Sequence, residues 1–111
     1  MLSLPPSVRV FVCTTPTDMR KSFDGLCALV QSVLKQDPFS GHLFVFLSRR
    51  RDRVKILYWD RSGFCLLYKR LEEGTFRMPE CGEIGSRELM MVLEGLDAVA
   101  VRPRRWYQRR V

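Results

Sequence analysis

The chain reads as an α+β domain: a small antiparallel sheet of about four to five strands packed by one main helix, with a second, shorter C-terminal helix. Three observations predict this class. A stretch from Phe23 to Leu34 carries apolar residues at three-and-four spacing and follows an alternating, strand-like run. Three further apolar or alternating runs come next, separated by short polar segments, as consecutive hairpins require. With 111 residues and 46% hydrophobic content, the chain can bury one core and is too short for two.

In Val8-Arg-Val-Phe-Val-Cys13, residues Val8, Val10 and Val12 share one face and Phe11 takes the other, which predicts a first strand. Thr14-Thr-Pro-Thr-Asp18 breaks it. Ser22 is then placed to cap a helix whose apolar positions are Phe23, Leu26, Leu29, Val30, Val33 and Leu34. Asp37-Pro38 should end that helix, because proline disfavours helical geometry at the residue before it. The runs His42–Leu47, Val54–Trp59 and Phe64–Arg70 predict three strands. Ser48-Arg-Arg-Arg-Asp-Arg53 and Asp60-Arg-Ser-Gly63 connect them, the latter with a glycine suited to a turn. Thr75-Phe-Arg-Met78 predicts a short fifth strand, at a sheet edge because Pro79 follows. Ser86 opens a second helix with Leu89, Met90, Leu93 and Leu96 as its stripe. Residues 1–101 then form one domain, and 102–111 a basic tail too charged to join a core.

Charge is the strongest compositional signal. Nineteen basic and 12 acidic residues leave a formal charge of +7, and 15 of the cations are arginine. Such a field attracts polyanions, and the guanidinium fork suits phosphate and guanine edges. Arg49, Arg50, Arg51, Arg53 and Lys55 form one cluster at a hairpin, a projecting element that can approach a phosphate backbone. Arginines that protect a sheet edge would look similar, but five cations in seven positions exceed what turn solubility needs. The tail carries a second cluster, Arg102, Arg104, Arg105, Arg109 and Arg110, with Trp106 and Tyr107 among them; this pattern suits stacked bases with phosphates alongside, and equally an acidic protein surface. Arg20 and Lys21, near the start of the first helix, are possible further phosphate contacts, although capping and pairing with Asp18 or Asp24 also explain that segment. Phe44, Phe46, Tyr58, Trp59 and Tyr68 read as core and sheet-face packing rather than a base-stacking platform.

Other functions find little support. Cys13, Cys27, Cys65 and Cys81 form no Cys-x-x-Cys pair and His42 is the sole histidine, so neither a disulfide framework nor a metal site is expected, and no cofactor is implied. The carboxylates fall mostly at expected turns and helix ends, without a two-metal constellation or a phosphate-cradling glycine loop, so catalysis is not expected. No stretch reaches membrane-spanning length and the start lacks the features of a signal peptide, which predicts a cytoplasmic location and no membrane partner.

Three blocks in a fixed order complete the reading: Thr14-Thr-Pro-Thr-Asp-Met-Arg-Lys-Ser-Phe-Asp-Gly-Leu26, Asp37-Pro-Phe-Ser-Gly-His-Leu-Phe-Val-Phe46 and Lys55-Ile-Leu-Tyr-Trp-Asp60. From Val8 to Asp97 the chain resembles the TnpB accessory proteins of insertion-sequence-66-type transposable elements, which are unrelated to the RNA-guided nucleases sharing the TnpB name. Thr15 stands where a glycine is often found before Pro-Thr-Asp-Met-Arg, and Met78 where a tryptophan is common. The resemblance implies a non-catalytic bacterial protein that works beside a separate transposase. Two roles stay open: binding DNA to help transposase assemble on element ends, or docking on transposase without independent DNA binding.

Overall fold

Five strands form one mixed sheet in the order β4-β3-β2-β1-β5, with a helix packed against each face. The computed structural model describes residues 5, 7–78 and 82–94. Along the chain the elements are β1 (Val10–Cys13), α1 (Phe23–Ser32), β2 (Leu43–Leu47), β3 (Arg53–Asp60), β4 (Gly63–Arg70), β5 (Glu83–Ile84) and α2 (Ser86–Leu93). The α+β class, the main helix and the shorter second helix agree with the sequence reading. The 102–111 tail and Leu96 lie outside the described residues.

Strand alternation builds two cores. Val10 and Val12 of β1, Leu43, Val45 and Leu47 of β2, and Val54 and Ile56 of β3 face α2, where they meet Leu89, Val92 and Leu93. Phe11, Cys13, Phe44, Phe46 and Leu57 face the other way and meet Leu26 and Val30 of α1. Because β2 is covered on both sides, it reads as an unbroken apolar run rather than an alternating one. Phe23, at the start of the predicted α1 stripe, and Val33, near its end, remain nearly half exposed.

The sheet is not wholly antiparallel. The β2–β3 and β3–β4 hairpins pair as expected, but β1 pairs parallel to β2, Val10 opposite Leu43 through Cys13 opposite Phe46. The physical reason is α1: a helix between two strands carries the chain back to the end from which it started, and parallel neighbours require such a crossover. The fifth strand is Glu83–Ile84, antiparallel to β1, and not Thr75–Met78. That segment instead uses its alternate apolar residues as a plug, burying Phe76 and Met78 in the core beneath α2. Its Phe76 N–H donates to the Arg51 carbonyl at 2.7 Å, so the backbone bond goes to a loop rather than to a ladder.

Helix ends also differ from expectation. Ser22 occupies the N-cap position with extended backbone, yet its hydroxyl makes no capping bond. α1 stops at Ser32, ahead of Asp37-Pro38. Val33 and Leu34 both donate to the Leu29 carbonyl, and Lys35 then takes a left-handed φ of 55° that ends the helix. In the β3–β4 turn it is Arg61, at φ 48°, that adopts the positive angle rather than Gly63. At α2, Gly85 N–H donates to Glu88 at 3.2 Å, the reach-back half of a capping box. Lys69 Nζ donates to the Leu93 carbonyl at 2.8 Å and satisfies a terminal acceptor of that helix.

Phe44 is fully buried in a central strand. Phe44→Ala should therefore cost about 3–5 kcal/mol in denaturant unfolding, whereas Phe39→Ala, which removes a largely exposed ring, should cost about 1 kcal/mol.

Candidate nucleic-acid interface

Parallel pairing of β1 and β2 sets the C-terminal ends of both strands side by side. The loop after β1, residues 14–22, consequently lies next to the hairpin after β2, residues 48–52. Bonds between the 14–22 loop and the two strands that flank the hairpin hold them together. Thr17 is buried and its N–H donates to the Leu47 carbonyl at 2.8 Å, and Lys55 Nζ donates to the Lys21 carbonyl at 2.7 Å. Thr17 and Met19 line a shallow cleft together with Ser48, Arg49, Arg50, Asp52 and Arg53. Two basic segments that stand about thirty residues apart in sequence thus become one surface.

The hairpin holds its arginines on a braced turn. Arg51 N–H donates to the Ser48 carbonyl at 3.0 Å, which places Arg49 and Arg50 at the two corners, and Arg51 follows with a left-handed φ of 59°. Ser48 Oγ donates to Asp52 at 3.2 Å and accepts from Arg53 N–H at 3.1 Å. Outside the turn, Asp52 and Arg51 carbonyls accept from Leu71 and Phe76 N–H groups, both at 2.7 Å. The loop is therefore fastened to the chain that leaves β4. Arg49, Arg50, Arg51 and Arg53 are exposed, and none makes an ion pair among the described residues.

Strand register adds a further cation. Arg53 and Arg70 are directly opposite each other on β3 and β4, an arrangement that costs stability because like charges face across the ladder. Arg70 is relieved by Glu72, whose carboxylate accepts from Arg70 Nε at 2.9 Å. Arg53 has no such relief among the described residues.

The other residues of the sequence reading divide by environment. Arg20 is exposed, but its guanidinium chelates Asp18 at 2.8–3.1 Å. Hydrogen bonds from the Arg20 side chain and backbone hold the Asp18 carboxyl down at about 2. Lys21 is exposed beside them. Lys55 differs: it is 6% exposed, and its ammonium lies 4.7 Å from the centre of the Tyr68 ring while bonding Lys21. It fastens the 14–22 loop to the sheet instead of facing solvent. Arg102, Arg104, Arg105, Trp106, Tyr107, Arg109 and Arg110 lie outside the described residues. Sequence reasoning missed Arg70, whose contribution depends on cross-strand register, and Tyr68, which is half exposed rather than core.

The opposite end of the sheet has another character. Phe39, Trp59 and Phe64 pack with ring centroids 5.0–5.1 Å apart. Nearby, His42 Nδ1 accepts from Arg9 N–H at 3.0 Å, a structural bond, while the Arg9 side chain clamps Glu83 at 2.7–2.8 Å. Among the described residues, no group of three His, Cys, Asp or Glu side chains is arranged to hold a metal ion. No helix among them is long and apolar enough to cross a membrane.

Fold and surface together define a small α+β protein with a cationic end. Residues 8–103 match the family model described as IS66 Orf2 like protein, and the chain belongs to that family. It is an accessory family of IS66 transposition, not known as catalytic. Two relatives from Sinorhizobium fredii (strain NBRC 101917 / NGR234) align over most of their length. Uncharacterized protein y4jC is 38% identical over 106 residues, covering 92% of this chain and 91% of its own. Uncharacterized protein y4hO is 40% identical over 101 residues, covering 87% and 88%. No solved structure matches.

Two measurements test the geometry. Carboxyl NMR should find Asp18 titrating near 2, below the ordinary aspartate value of about 3.9, and Arg20→Gln should return it toward that value. Since the folded value is depressed, the contact stabilises the loop above the unfolded pKa and is lost as pH falls through the folded one. Lys55→Met keeps the apolar stem but removes the bond to Lys21 and the ring contact. It should destabilise the protein by about 1–3 kcal/mol and speed amide exchange in the 14–22 loop.

Proposed function

We propose that the chain is a non-catalytic DNA-binding accessory protein that helps a separate transposase assemble on the ends of the element. The observation that carries this reading is the gathering of Lys21, Arg49, Arg50, Arg51, Arg53 and Arg70 at one end of the sheet by the parallel β1–β2 pairing and the β3–β4 register. Unpaired arginines on a braced turn suit a phosphate backbone, because their charge is not already neutralised and little loop ordering is left to oppose binding. Arg49, Arg50, Arg51 and Arg53 take the role of direct contacts, and Lys55 that of a positioning residue beneath them. The tail arginines Arg102, Arg104, Arg105, Arg109 and Arg110, with Trp106 and Tyr107, supply a second contact to the same polyanion. Four carboxylates have structural partners, which supports non-catalysis: Asp18, Glu72 and Glu83 are paired with arginine, and Asp52 is hydrogen-bonded inside a turn.

One observation favours a second partner. The Phe39–Trp59–Phe64 cluster leaves Phe39 56% exposed at the end away from the arginine hairpin, a surface suited to protein contact. In the transposase-docking reading, such contacts and the basic residues serve protein alone, without independent DNA affinity.

Duplex binding should weaken steeply with salt. Replacing Arg49, Arg50 and Arg51 by alanine should lower the slope of log K against log salt by about 0.9 for each phosphate that is no longer neutralised, with cooperative unfolding retained. Alone, the protein should neither nick nor join element-end DNA with magnesium or manganese. With its cognate transposase it should raise end-complex formation or transposition, and the triple variant should reduce that gain. Equal transposition with, without and with mutated protein would refute an accessory role. Full dependence with no detectable DNA binding would select the docking reading.

A further inference from the structure

Beside the arginine hairpin lies an aromatic ring that neither core absorbs. Tyr68 sits on β4 directly opposite Lys55, on the α1 face of the sheet, and remains 50% exposed. The Lys55 ammonium, 4.7 Å from the ring centre, is itself buried and hydrogen-bonded to the Lys21 carbonyl. Tyr68 is thus steadied by a cation that is fixed in turn, so the ring is held in place before any ligand arrives. It shares a shallow cleft with Arg53, Arg70 and Glu72. Arg53 also lines the neighbouring cleft with Arg49 and Arg50, which makes the aromatic site continuous with the cationic one.

A flat π surface beside guanidinium groups matches a nucleotide in two places. The ring offers a stacking partner for a base, and Arg53 offers a contact for the adjoining phosphate. An uninterrupted duplex cannot use the ring, because its bases are already stacked on one another. Building on the DNA-binding reading above, we propose that Tyr68 is a stacking platform for an unpaired base. The chain therefore prefers DNA carrying a single-stranded extension to blunt duplex. A tyrosine that merely covered Lys55 would influence stability and leave that preference unaffected.

Fluorescence anisotropy on the full-length chain tests the proposal, with one short duplex either blunt or extended by a few unpaired nucleotides that include a fluorescent purine analogue. Wild-type protein should bind the extended duplex about fivefold or more tightly than the blunt one and should quench the analogue. Tyr68→Ala should erase both effects, bringing the ratio of the two affinities close to one. Tyr68→Phe should preserve them. Tyr68→Leu keeps apolar cover over Lys55 without a π face, and it should behave as the alanine variant even if that variant is unstable. Equal wild-type affinity for the two duplexes, or a preference that survives both Tyr68→Ala and Tyr68→Leu, would overturn the stacking role while leaving DNA binding intact. Absence of binding to either duplex would overturn the DNA-binding reading and this inference with it.

Discussion

Parallel pairing between β1 and β2 is the constraint on which the rest of the molecule depends. The other three ladders are antiparallel, and two of them follow from short hairpins. The parallel ladder instead demands a crossover, and α1 supplies it by packing Leu26 and Val30 against Phe11, Phe44 and Phe46. Reversing that one ladder would leave both cores plausible while sending the 14–22 loop to the far end of the sheet. The arginine hairpin would then stand alone. The buried Thr17 N–H bond to Leu47 and the Lys55 bond to Lys21 fasten the arrangement at two points.

The cost of gathering so many cations is visible in the local structure. Arg53 faces Arg70 across the ladder, and Arg51 holds a left-handed backbone angle that glycine or asparagine would adopt more readily. Each feature opposes folding by an amount on the order of 1 kcal/mol, and the two continuous cores offset it. Acidic neighbours are used unevenly. Glu72 relieves Arg70 and Asp18 relieves Arg20, but the hairpin arginines keep their full charge among the described residues. A surface optimised only for stability would not be arranged this way.

Much of the fold was legible in the sequence because local periodicity reports it well. The Val10/Val12 against Phe11 alternation, the β2–β3–β4 hairpins and the start of α2 at Ser86 all followed from spacing and turn residues. What escaped depended on partners distant in the chain. Thr75–Met78 has strand-like alternation, but Phe76 and Met78 enter the core from a segment whose backbone bonds a loop. α1 ends before Asp37-Pro38 because Lys35 can take a left-handed angle. At the candidate site, the Arg49–Arg53 cluster could be read directly as a charge run. The burial of Lys55, the exposure of Tyr68 and the role of Arg70 follow from which residues register opposes, and a charge run carries no record of register.

The fastening of the hairpin to the chain beyond β4 bears on how this protein can change length over evolution. Hairpin tips ordinarily absorb insertions easily, since nothing else in a protein refers to their position. Here the Arg51 and Asp52 carbonyls are tied to Phe76 and Leu71, and Phe76 is itself buried. One added residue between Ser48 and Arg53 would break those ties and loosen the plug beneath α2. The Arg61–Ser62 turn at the other end of β3 carries no such ties among the described residues. Length variation among related chains should therefore collect at that turn, with the arginine hairpin held to one length by the core behind it.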